Sequence, residues 1–108
     1  MLIDDDRLHQ ALSLLTSTDE QCAALRADME RTEQKAKATR AAMVKCADGS
    51  SASAREANAD SSPEVAAAWE EHFKAMHKYH AMANRRSSEA IVVDTWRSLN
   101  AARRMGNV

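Results

Sequence analysis

The stretch that decides the fold reads DGSSASAREANADSSPE, residues 48–64. Gly49 stands where a helix would end, because glycine adopts a left-handed backbone without a Cβ clash. Ser62-Pro63-Glu64 is a strong helix start. The serine hydroxyl can accept a free backbone N–H, proline has the φ of a first turn, and glutamate suits the positive end of the helix dipole. The sequence therefore predicts a connection at residues 47–62 between two helical arms.

The arms span residues 4–46 and 63–104. In the first arm, apolar or small residues recur every seven positions, as Leu8, Leu15, Cys22, Met29, Ala36 and Met43, with a companion set Ala11, Thr18, Leu25, Thr32, Thr39 and Cys46. A seven-residue repeat of this length indicates a coiled-coil-like helix. Two arms of equal length predict an all-α fold, a long antiparallel helical hairpin that forms a single domain. A short helix over 52–59, capped by Ser51, is plausible inside the connection.

The first arm contains a second start signal, in which Thr18 and Gln21 have the spacing of a capping box. The arm is therefore either two helices, 4–15 and 18–46, or one helix with a kink. In the second arm we expect a buried stripe of Trp69, Phe73, Met76, His80, Ala83, Ser87, Ile91, Trp96 and Leu99. A turn near residues 54 and 55 would place Ala36 opposite Phe73.

A lone pair of helices buries little apolar area, so a small chain of this kind often needs a partner. Apolar residues that lie off the expected stripe form a second strip, made of Leu14, Val44, Met82, Val92 and Val93. We therefore expect a homo-oligomer, most simply a dimer that forms a helical bundle.

Composition and motifs exclude several classes of function. The 4% aromatic content and the two glycines disfavour a β-sandwich, and the net charge of -1 lacks the excess of a strongly basic nucleic-acid binder. No segment approaches the roughly 20 apolar residues of a membrane span, and the start MLIDDD has no secretory signal pattern. We expect a soluble, intracellular, non-enzymatic protein without a catalytic site, metal or cofactor. Cys22 and Cys46 are expected to be small buried hydrophobes, and His72, His77 and His80 a solvated edge.

One patch near the end of the second arm is a candidate partner-binding site, composed of Trp96, Arg97, Asn100, Arg103 and Arg104. An aromatic ring with arginines and an amide can contact a protein, or the phosphates and bases of DNA. The competing interpretation is structural: Trp96 packs between helices, while the arginines complement the helix dipole and pair with Asp4–Asp6 of the antiparallel arm.

The segments STDEQ (17–21) and DTWRSLNAARRMGNV (94–108) resemble a family of small helical proteins of tailed bacteriophages and prophages. The terminal pattern is Trp-Arg-Ser-x-Asn-Ala-x-Arg-Arg-x-Gly, carried here by Trp96, Arg97, Asn100, Arg103, Arg104 and Gly106. The resemblance implies a location in the cytoplasm of the bacterial host cell and an accessory role in phage DNA replication or recombination, through protein or DNA contacts. Two alternatives stay open: an inhibitor that occludes a host defence or nuclease system, and a purely structural assembly protein.

Overall fold

A computed structural model describes residues 3–106 of the chain. The helices are α1 (Asp5–Ser17), α2 (Asp19–Cys46), α3 (Ala52–Asp60) and α4 (Pro63–Gly106), and the described residues contain no β-strand. The predicted all-α fold is therefore confirmed. The described residues group into two compact units, unit 1 of residues 3–23 with 80–106 and unit 2 of residues 24–79. Within each unit, a segment of the first half of the chain runs antiparallel to a segment of α4. The single domain and the larger bundle stay predictions.

The seven-residue repeat of the first arm faces the helix contacts, as expected. Ala11 and Ala36 are completely buried and Thr18 is 9% exposed. The other members of the repeat are half-buried, except Cys46, which is exposed, so the prediction that both cysteines are buried is wrong for Cys46. Alanine and threonine at these positions let the facing helices approach closely.

The expected stripe of α4 is correct at five positions and wrong at four. The half-buried members are Trp69, Met76, Ala83, Trp96 and Leu99. Phe73, His80, Ser87 and Ile91 are exposed, whereas the buried or half-buried positions include Val65, His72, Tyr79, Arg86 and Val93. At two of these positions a polar neighbour takes the buried place, His72 instead of Phe73 and Arg86 instead of Ser87. Hydrogen bonds to the facing helix satisfy both polar side chains, which permits their burial.

The residues of the second apolar strip expected from the sequence are buried or half-buried rather than exposed. Val93 is 8% exposed, and Leu14, Val44, Met82 and Val92 are half-buried. The large apolar side chains exposed among residues 3–106 are instead Leu12, Phe73, Ile91 and Met105. These four are therefore the apolar groups left for contacts with another molecule.

Contacts between side chains set the register of unit 2. Thr32 Oγ1 lies 3.2 Å from His72 Nδ1, and Lys35 Nζ donates to Glu71 Oε2 at 3.1 Å. A turn centred on residues 54 and 55 would have placed residues 77 and 74 opposite these two. The expected register is thus displaced by three to five residues, and Ala36 is buried while Phe73 is 50% exposed. Arg40 Nε donates to Asp60 Oδ1 at 2.6 Å, so the end of α3 lies beside α2 six residues before α2 ends.

The first arm consists of two helices separated by a single residue, Thr18. The capping box with Gln21 is not formed among the described hydrogen bonds, because Thr18 Oγ1 donates back to the Leu14 carbonyl at 2.7 Å. Arg86 fills the break: its Nη1 donates to the Leu15 carbonyl at 2.7 Å and to Thr18 Oγ1 at 2.8 Å, and its Nη2 donates to Asp19 at 3.2 Å. A guanidinium thus satisfies a carbonyl at the negative end of α1.

The connection turns sharply at Gly49, three residues after α2 ends. Ser51 caps α3, accepting the backbone N–H of Ala54 at 3.2 Å. Gly49 has φ +154°, and a Cβ there would lie 2.9 Å from the Arg55 nitrogen and 3.0 Å from the Ala54 Cβ. Glycine is required here for backbone conformation and for the close approach of α3, not as the left-handed end of α2.

Gly49→Ala is expected to destabilise the protein by about 1–3 kcal/mol, because it strains the backbone and crowds the first turn of α3. Gly106→Ala is the matched control, since no described atom lies within 4 Å of a Cβ added there. Urea unfolding followed by circular dichroism measures both. Equal midpoints for the two variants would contradict the assigned role of Gly49.

Arg86→Ala is expected to cost about 1–3 kcal/mol, because the carbonyl of Leu15 loses its side-chain donor. Arg85→Ala, at the exposed neighbouring position, should have a much smaller effect. Amide hydrogen exchange should show faster exchange in α1 for Arg86→Ala than for Arg85→Ala. Identical exchange in the two variants would show that Arg86 does not hold the break.

Candidate functional site

Three of the residues predicted to bind a partner line one groove of about 530 Å³ in unit 1. We call this the terminal groove; it is lined by Ile3, Asp4, Asp5, Trp96, Leu99, Asn100 and Arg103. The start of α1 and the two residues before it supply one wall, and the last turns of α4 supply the other. The seven-residue stripe of α4 explains the placement, because Asn100 follows Val93 by seven residues and Arg103 follows Trp96 by seven.

The structure does not bring all five predicted residues together. Arg97 and Arg104 are exposed and do not line the terminal groove. Arg97 pairs loosely with Asp94, at 3.9 Å on the surface of the same helix. An exposed pair of this kind contributes little free energy. The candidate site is therefore narrower than the sequence pattern suggested, and it is centred on Trp96, Asn100 and Arg103.

The predicted pairing of Asp4–Asp6 with the terminal arginines is not seen in residues 3–106, where Arg103 and Arg104 form no ion pair. Asp4 instead caps α1, and its Oδ1 accepts the backbone N–H of Arg7 at 2.8 Å. Asp5 and Asp6 lie in the first turn of α1, where the helix dipole favours negative charge. The groove therefore carries carboxylates on one wall and a guanidinium on the other, both available to a further molecule.

A bidentate ion pair holds α1 against α4 behind the terminal groove. Arg7 donates to both carboxylate oxygens of Glu89, at 2.7 and 2.9 Å. These hydrogen bonds lower the pKa of the Glu89 carboxyl and raise the pKa of Arg7. The Glu89 side chain is 18% exposed, so water screens the pair less than it screens the other ion pairs on the surface. Arg7 thus helps to position the wall that contains Asp4 and Asp5.

Sequence reasoning did not assign Ile3, Asp4, Asp5 or Leu99 to the binding site. Ile3 is 8% exposed and packs at the edge of the groove. The hairpin topology itself indicates these residues, because it brings the start of the first arm beside the end of the second. In the sequence analysis, this proximity predicts only ion pairs between Asp4–Asp6 and the terminal arginines.

The histidines were expected to form a solvated edge, which is wrong for His72. Its side chain is 7% exposed, and Nδ1 lies 3.1 Å from the Met29 carbonyl, which requires an N–H at that nitrogen. His72 also makes an edge contact with Trp69, with ring centroids 5.7 Å apart. His77 and His80 are exposed. Residues 3–106 contain no group of three side chains suited to hold a metal ion and no helix able to cross a membrane.

Comparison of the chain with protein-family models, with curated proteins and with solved structures finds no match. The resemblance to small phage proteins therefore stays a prediction.

The Arg7–Glu89 pair should make the stability of unit 1 depend on pH. A carboxyl whose folded pKa is lowered contributes stability above its unfolded pKa, about 4.3 for glutamate, and loses it as the pH falls through the folded pKa. In a double-mutant cycle of Arg7→Met and Glu89→Gln, we expect a favourable coupling at pH 7 that disappears in acid. Thermal unfolding across this pH range measures the coupling. A coupling that is constant with pH would contradict the assignment.

Proposed function

We propose that this chain is a non-enzymatic helical interaction protein of the phage type, which uses the terminal groove to bind another macromolecule. Its role would be accessory to phage DNA replication or recombination. One observation carries the proposal: Trp96, Asn100 and Arg103 of the terminal signature line a single groove. Tryptophan and arginine are among the residue types that contribute most of the binding energy at protein interfaces.

The composition of the groove favours a protein partner over DNA. Asp4 and Asp5 line the same groove as Arg103, so a phosphate bound there would meet two carboxylates at close range. Nucleic-acid affinity depends on the number of phosphates that cationic groups neutralise. A groove with more carboxylates than guanidinium groups offers little of this energy, whereas a protein surface can present charges of both signs.

A second candidate function is inhibition of a host defence or nuclease system by occlusion. Exposed carboxylates at the start of α1 and of α2 support it, namely Asp5, Asp6, Asp19 and Glu20. Such a surface can imitate the phosphates of a nucleic acid toward a basic partner. Inhibition by such an acidic surface predicts a strongly basic binding partner. Recognition through the terminal groove depends instead on Trp96 and Arg103.

A photo-crosslinking amino acid in place of Asn100 is expected to capture a protein partner in bacterial cells that express the chain. The same residue in place of Asn84 is the control, because Asn84 is exposed on α4 outside the groove. The product should disappear when Arg103→Glu is added, while circular dichroism stays unchanged. Equal crosslinking from both positions would overturn the proposal.

The DNA form of the proposal has its own measurement. Fluorescence anisotropy with a labelled single-stranded oligonucleotide tests whether the groove binds DNA. We expect no binding that is lost in Arg103→Glu and that weakens as the salt concentration rises. Binding at low salt that Arg103→Glu abolishes would instead assign the groove to DNA.

A further inference from the structure

We propose that the terminal groove is a self-association surface, whose partner is the same groove of a second copy of this chain. This inference rests on the proposed function and names the partner. In a two-fold arrangement, Arg103 of each copy faces Asp5 of the other.

The first argument is the charge pattern of the groove. A two-fold interface brings one patch against itself, so it must contain both members of each complementary pair. The terminal groove contains Asp4 and Asp5 on one wall and Arg103 on the other. A partner surface of one sign would meet at least one of these charges with like charge, whereas a second copy places Arg103 opposite Asp5 at both contacts.

The second argument is that the charges and apolar groups of this end are unsatisfied within the described part of the chain. Neither Asp5 nor Arg103 forms an ion pair there. All positions from 101 to 106 are exposed, and Met105 is 79% exposed at the last turn of α4. A second copy would cover this helix end and provide oppositely charged partners for both groups.

The third argument concerns the cost of bringing two copies together. The chain has 15 basic and 16 acidic side chains, a net charge of -1, so the long-range repulsion between copies is small. Contacts at the terminal groove then decide whether the copies associate. The ion pairs proposed at the groove should make the association stronger at low salt.

Charge reversal tests the arrangement. Arg103→Glu makes the groove wholly acidic, and Asp5→Lys removes one of its two carboxylates and adds a cation. Each variant alone should associate about tenfold or more weakly than the wild type, because like charges then face one another. In a two-fold interface, a mixture of the two variants restores opposite charges at both contacts. Sedimentation velocity over a range of concentrations, at low and high salt, should show recovery of the dimer in the mixture.

Two controls make the outcome decisive. Arg97→Glu reverses an exposed charge outside the groove and should leave the association unchanged. The double variant Asp5→Lys, Arg103→Glu should dimerise with itself while failing to pair with the wild type. Circular dichroism establishes that each variant is folded. A monomeric wild type at all concentrations, or single variants that dimerise as the wild type does, overturns the inference. If the Asn100 crosslink still captures another protein in that case, the proposed function stands without self-association.

Discussion

The close approach of helices through small side chains is the constraint on which both units depend. Ala11 in unit 1 and Ala36 in unit 2 are completely buried, and the described residues include no large side chain that is fully buried. Each alanine removes little apolar area from water, so hydrophobic burial per residue is modest. Directed contacts must then set which residues face each other, and the structure supplies them as Arg7–Glu89 in unit 1 and as Thr32–His72 in unit 2.

The helical pattern was predictable because it depends on local rules. A seven-residue repeat located the contact face of the first arm, and Ser51, Gly49 and Pro63 located the connection. The face of α4 was not predictable in the same way, since hydrophobicity favours Phe73 over His72. A backbone carbonyl on another helix accepts a hydrogen bond from the His72 ring, and no pattern within α4 reveals that acceptor.

The same reasoning accounts for the part of the candidate site that was found. Trp96, Asn100 and Arg103 were predicted as one patch, and their spacing of three and four residues does bring them to one face of α4. Arg97 and Arg104 belong to the same predicted patch but do not line the groove, which is bounded by α1 as well. Which arginines border it depends on where Ile3 lies, and that position follows from the packing of unit 1 rather than from the spacing within α4.

The break at Thr18 has a consequence for how sequence change acts on unit 1. Arg86 can reach the Leu15 carbonyl only when α1 and α4 are aligned as they are here. If the helices were displaced by one seven-residue repeat, the guanidinium would lie beside a continuous helix, whose carbonyls already accept backbone hydrogen bonds. The alignment of α1 with α4 therefore depends on the hydrogen-bonded side chains of Arg7 and Arg86 as well as on the small alanines. Surface positions of α1 can accept many substitutions, whereas an insertion or deletion of a single residue between Arg7 and Thr18 would separate the two arginine contacts that define the unit.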